Sequence, residues 1–256
     1  MDCADPEGNV VIGYSANLSW KKIGINYANR LLYDAEHGVD SRTTLLRQDP
    51  PHMAVDTLTW SPSRLKISAG WKSLAPPIDK TLLTLPQGNL RWICHQPKAH
   101  ATIQLQPQVS RIGLGYTEKL EMSIAPWELP FVELRWGRFL SATDTLIWID
   151  WRGEVTATWV FYQGAQVNEA LVTDESVSFD RGAFMLRCRE TVILREGPLI
   201  STALSKIPGL KEVFPSSILN TYECKWRSKG QLTKPDHEVS AGWAIHEVVK
   251  WKTAPV

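Results

Sequence analysis

Glu118 stands where the alternation of a β-strand would set a carboxyl among apolar side chains. Between residues 111 and 124 the even positions are Ile112, Leu114, Tyr116, Glu118, Leu120, Met122 and Ile124. The odd positions are Arg111, Gly113, Gly115, Thr117, Lys119, Glu121 and Ser123. Alternate residues of a strand share a face, so Glu118 is expected on the apolar one with Tyr116 beside it. The same test on Val132, Leu134, Trp136, Arg138 and Leu140 puts Arg138 on an apolar face, and Glu190 and Glu247 join by the same rule. A carboxyl so placed loses hydration, and it holds its proton unless a cation or hydrogen-bond donors favour the charged form. Held protonated, it is a general acid for a carbonyl or an alkene; paired with Arg138, it is an ionised brace. Both readings stay open at this point. Tyr116 is placed to orient the carboxyl or relay a proton, or simply to satisfy its own hydroxyl.

Other combinations are weaker. His246 adjoins Glu247 and His95 adjoins Cys94, but neighbours on a strand point to opposite faces, and no third group completes a triad. Cys3, Cys94, Cys188 and Cys224 are widely spaced with no CxxC, which reads as four reduced thiols. No glycine-rich phosphate loop or His/Asp cluster appears, so neither a metal nor a cofactor is expected. Tryptophan is abundant, with 12 residues against six Tyr and six Phe. Trp136, Trp148, Trp151 and Trp243, with Glu247, are the candidates to line an apolar ligand cavity.

The elements that must position these groups are strands. About sixteen segments of β-branched or aromatic character recur between turn signals, from Val10–Trp20 through Ile78–Leu85 and Arg111–Ile124 to Val239–Trp251. Leu90–His95 and Ala99–Leu105 read as separate strands, and only Leu199–Phe214 reads as helical, divided by Pro208 and Gly209. An all-β chain of this kind closes its meander into antiparallel barrels, and the strand number suits two better than one. The expected halves are residues 1–107 and 108–256. No repeat between them is visible at the residue level.

The chain has 256 residues, 28 Lys plus Arg against 27 Asp plus Glu, and a net charge of +1, which supplies no field for nucleic acid. Charged residues are 21% and apolar residues 43%, an ordinary globular composition. Met1 to Glu7 lack a basic segment and an apolar run, and no stretch suits a bilayer-spanning helix. The expectation is a cytoplasmic protein whose partner is a small hydrophobic ligand. A weak contact with a membrane surface is compatible with this, and the oligomeric state is not specified.

The motifs Gly113-Leu114-Gly115-Tyr116-Thr117-Glu118, Leu134-Arg135-Trp136-Gly137-Arg138-Phe139 and Ile147-Trp148-Ile149-Asp150-Trp151-Arg152-Gly153 occur in that order. The series resembles the hydroxyneurosporene synthase (carotenoid hydratase) superfamily, which includes the AttH-like proteins. Asn9 to Ala16, Leu58 to Ile67 and Gly88 to Ile93 fit the family's early strands more loosely. The resemblance implies two tandem lipocalin-like antiparallel β-barrels with one short helical segment, and no cofactor. It also implies that Glu118 takes the place of the acid that protonates an alkene. The family's polar residue two positions further on is Leu120 here, which departs from the hydratase pattern. Lipocalin-fold Diels-Alderases and tocopherol cyclases are similar in plan, so cyclisation belongs to the same expectation. The function expected is an acid-assisted hydratase, isomerase or cyclase acting on an isoprenoid or polyketide. Glu118, Arg138 and Tyr116 would be its catalytic group, with Trp136 and Trp148 against the ligand. The alternative is a carrier or sensor with the same cavity and no chemistry. Carbohydrate binding or hydrolysis, a third class, follows from tryptophan-rich β architecture with several carboxylates; sugar sites need polar groups beside exposed rings, and the missing secretion signal counts against it.

Overall fold

Alternation of apolar and polar residues drives β-structure almost from end to end. The computed structural model describes residues 1–20, 23–45, 49–107, 109–199, 201 and 220–251. The strands of the first sheet are β1 (Asp2–Ala4), β2 (Val10–Trp20), β3 (Ile23–Asp34), β4 (Gly38–Leu45), β5 (His52–Met53), β6 (Thr57–Trp60), β7 (Ile67–Ser73), β8 (Ile78–Leu85), β9 (Gly88–Leu105) and β10 (Val109–Met122). Those of the second are β11 (Phe131–Ser141), β12 (Thr145–Gly153), β13 (Ala157–Tyr162), β14 (Ala165–Val167), β15 (Leu171–Val172), β16 (Ser176–Phe179), β17 (Phe184–Pro198), β18 (Tyr222–Thr233) and β19 (Val239–Lys250). Two single 3-10 turns, Ser63–Leu65 and Pro126–Glu128, are the helical pieces among the described residues. The segment read as helical, Leu199–Phe214, lies almost wholly outside them.

The first sheet is ordered β4-β3-β2-β1-β10-β9-β7-β6-β5, with β8 on β9, and the second β14-β13-β12-β11-β19-β18-β17-β16-β15. In each, the opening strand pairs with the last, which folds the meander back on itself; the pair of antiparallel sheets fits tandem lipocalin-like barrels. Two compact units are present, residues 1–80 with 92–119 and residues 81–91 with 120–256. The first is packed around Trp60, Leu65, Trp71, Ala101 and Ile103, and the second around Phe139, Leu146, Trp148, Phe179 and Leu186. Each such side chain contributes roughly 1.5 to 3 kcal/mol on burial.

Alternation explains β7, where Ile67, Ala69 and Trp71 are buried between more exposed neighbours. It also shows where parity breaks. In β9 the buried positions are Leu90, Trp92, Cys94 and Gln96, then Pro97, Ala99, Ala101 and Ile103. The switch from even to odd at Pro97 joins the two segments read separately into one strand. Pro97 falls beyond the β7 ladder, which ends at Ser73 opposite Ala99, so its missing N–H costs that ladder nothing. Glu190 is a correction of the same kind. The β17–β18 register slips between Arg189 and Val192, Glu190 takes a φ of 47°, and its side chain is 64% exposed beside Lys229. A bulge turned it outward.

Candidate functional site

Glu118 lies on β10 in the first unit, half-buried, with Tyr116 two residues before it and Trp92 on the adjacent β9. Its Oε2 accepts hydrogen bonds from the Tyr116 hydroxyl at 2.6 Å and from Trp92 Nε1 at 2.6 Å. The donors themselves are buried, Tyr116 at 3% and Trp92 at 0% exposure. Two donors on Oε2 favour the ionised form and fix the plane of the carboxyl. Burial, with Cys94 and Glu118 nearby, raises the Tyr116 pKa well above its ordinary value, so the hydroxyl remains a donor. Burial likewise raises Cys94, which donates weakly to the Thr117 carbonyl at 3.7 Å and is no nucleophile at neutral pH.

The other face of β10 is anchored independently. Thr117 donates to Gln96 Oε1 at 3.1 Å, and Gln96 Nε2 donates to the carbonyls of Trp71 and Asp56, each at 3.1 Å. Gly115 has a packing reason. A Cβ there would come within 2.6 Å of Trp71 Cδ1 and 2.7 Å of the Asp2 carbonyl, to which Trp71 Nε1 donates at 2.7 Å. The glycine lets β1 and the indole close on the strand that carries Tyr116 and Glu118. Gly137 plays the same part in the second unit, beneath Trp148 and His246.

Arg138 belongs to the second unit, on β11, with 3% of its surface exposed, directly opposite Ile147 and Ile245. Trp136, Trp151, Trp243 and Glu247 share its face by register: Trp136 is opposite Ile149 and Glu247, Leu134 opposite Trp151, and Leu140 opposite Trp243. Trp151 stacks on Phe131 with centroids 4.7 Å apart, and Arg227 lies 4.5 Å above the Trp243 ring. Glu247 is ion-paired with Lys225, which also approaches Glu223 at 3.9 Å. Glu223 is 4% exposed, and burial raises its pKa against the pull of Lys225 and Arg195. Trp148 is separate from this group. It points to the opposite face of β12, into the core with Phe139 and Ala244.

On that inner face is a pair the sequence did not reveal. His246 Nε2 and Ser228 Oγ are 2.9 Å apart, Ser228 Oγ is 2.8 Å from Thr191 Oγ1, and the imidazole lies between Trp148 and Trp226. These residues come from four strands, β12, β17, β18 and β19, so only the register joins them. Trp92 was missed for the same reason, although its even position beside Leu90 and Cys94 marks an inward face. No group of His, Cys, Asp and Glu among the described residues could hold a metal ion. No helix of the described residues is long and apolar enough to cross a membrane.

No family model and no curated protein matches the chain. Solved structures do. Kievitone hydratase from Nectria haematococca is 9% identical, with a TM-score of 0.57 over 98% of this chain and 87% of that one. CghA with Sch210972 is 10% identical, with a TM-score of 0.57 over 98% and 86%. CghA alone gives the same identity and score over 100% and 87%. At such identity the likeness is one of fold, and it spans both sheets.

Proposed function

We propose that the protein is an acid-assisted hydratase, isomerase or cyclase acting on a hydrophobic unsaturated molecule such as an isoprenoid or polyketide. The observation that carries this reading is the Glu118 carboxyl, half-buried and held in place through Oε2 by the buried Tyr116 hydroxyl and Trp92 indole. A fold like that of kievitone hydratase and CghA supports it. In the proposed step a proton on the Glu118 carboxyl passes to an alkene or carbonyl of the substrate, and Tyr116 holds the carboxyl in register throughout. The cation so formed adds water, whose extra proton returns to the Glu118 carboxylate, or loses a neighbouring proton to that carboxylate, or is attacked by a second double bond to give a new cation that gives up a proton to it. Leu120 is 47% exposed and offers no polar group beside the acid, which favours the last two outcomes over hydration. Arg138, Trp136, Trp151 and Trp243 belong to the second unit and are given no part in this step. Membership of the carotenoid hydratase superfamily is part of the same proposal.

Native mass spectrometry of protein purified from its own source identifies the bound molecule. Its conversion in deuterium oxide is then followed with and without Glu118→Gln. We expect one deuterium at the new C–H bond, or exchange at the migrating position, and loss of turnover by at least about 100-fold in the variant. Full turnover by a folded Glu118→Gln protein removes Glu118 from the acid role. The carrier reading is favoured by the same two hydrogen bonds, since they also satisfy a purely structural carboxylate. It predicts a ligand recovered unchanged and bound equally by the variant.

A further inference from the structure

Arg30 is 2% exposed on β3, between Ala28 and Leu32, both of which pack into the first unit's core. A buried guanidinium needs acceptors for a fork of five N–H groups. Nη1 donates to the Leu65 carbonyl at 2.9 Å and Nη2 donates to Asp40. Buried Nε meets no acceptor among the described residues. The side chain lines a cavity of about 400 Å³, a volume within the range of small-molecule sites. Val10, Leu32, Leu105 and Val109 give that cavity an apolar wall, and Arg42 and Arg111 face it as well.

The guanidinium groups are unevenly supplied with acceptors. Arg30 and Arg42 share one carboxylate, Asp40, with Arg42 Nε 3.7 Å from Oδ2. Arg111 is paired with Asp5 at 3.7 Å. Asp34 is occupied by the His37 ring at 3.0 Å and by the backbone N–H groups of Glu36 and His37. Glu36 is exposed in the hairpin turn. Three guanidinium groups and three carboxylates line the cavity, so what points to a ligand is the unmet Arg30 donor beside an apolar wall rather than a net charge. Burial, with Arg42 nearby, pulls the Arg30 pKa below its ordinary value despite Asp40.

We propose that this cavity binds a small organic anion with an apolar body. Its carboxylate accepts the Arg30 Nε–H, Arg42 supplies a second cation, and the apolar part rests on Leu32, Leu105 and Val109. Side-on approach to Nε suits a guanidinium whose two terminal nitrogens are already engaged.

The test uses the whole chain labelled with ¹⁵N-arginine and 4-phenylbutyrate as probe, with 4-phenylbutanol, 4-phenylbutylamine and acetate as comparators. The Arg30 Nε–H signal is assigned by through-bond correlation in the wild type and by its loss in Arg30→Lys. We expect it to shift saturably with 4-phenylbutyrate. Affinity should be at least about tenfold greater than for the alcohol or amine, since a charge-assisted bond is roughly twice as strong as a neutral one. Acetate, lacking the apolar body, should bind far more weakly. Arg42→Gln, at a side chain 44% exposed, should fold normally and weaken binding by about fivefold. An unmoved Arg30 signal, equal affinity for the alcohol, or acetate binding as well as 4-phenylbutyrate would overturn the proposal. Unchanged affinity in Arg42→Gln would remove Arg42 from it. Glu118 has no part in this site, so failure here leaves its assignment untouched.

Discussion

Ser228 and two indoles enclose the His246 imidazole, which is 5% exposed, and burial draws its pKa down to about 4. The unfolded chain binds a proton near pH 6.5, whereas the native chain refuses it until about 4. Stability from this ring is therefore complete above about pH 6.5 and is lost as pH falls toward 4, by about 3 kcal/mol in all. Glu223, whose pKa burial raises, acts in the opposite sense. The difference between wild type and His246→Gln in urea unfolding isolates the histidine. It should shrink between pH 7 and pH 4, and a flat difference would mean that the ring is solvated. The same environment leaves His246 unprotonated and a weak base at neutral pH. Glu118 differs in kind, because its surroundings supply hydrogen bonds rather than only apolar walls.

At the scale of elements, Gly115 and Gly137 interrupt strands whose partners need the space. Gly115→Ala should cost about 1 to 3 kcal/mol, because the obstacles are the Trp71 ring and the Asp2 carbonyl rather than a flexible side-chain end. Gly70→Ala, with nothing within 4 Å of the added methyl, should stay within about 0.5 kcal/mol of wild type. Chemical denaturation of the two variants separates this packing role from general strand propensity. Legibility follows the same physics. The bounds of β2 and β8 were readable because alternation and turn residues are local, as was the common face of Tyr116 and Glu118. The three-residue β1 and four-residue β16 carry too little pattern to detect. Glu190 was misplaced because a bulge changes parity without a clear residue signature. Trp148 was grouped with Trp136 and Trp151 on composition, but its even position on β12 sends it to the other face, beneath which Gly137 makes room.

Across the whole molecule, the two sheets repeat one strand order, with β1 to β4 answering β11 to β14 and β10 answering β19. The residues do not display this repeat, since a barrel constrains alternation and closure far more than identity. Each unit also contains two cysteines: Cys3 and Cys94 in the first, Cys188 and Cys224 in the second. All four are at most 9% exposed. Desolvation raises Cys94 well above its ordinary pKa, Cys188 to about 12 and Cys224 to about 11. An alkylating reagent should find none of them in the native protein and all four in urea, and prompt native modification would show that a unit opens on its own. Peptide-resolved rates then time the breathing of each barrel separately, with no probe introduced by mutation. The chain is equipped with a pair of built-in stopwatches for each half, which start only when its interior meets water.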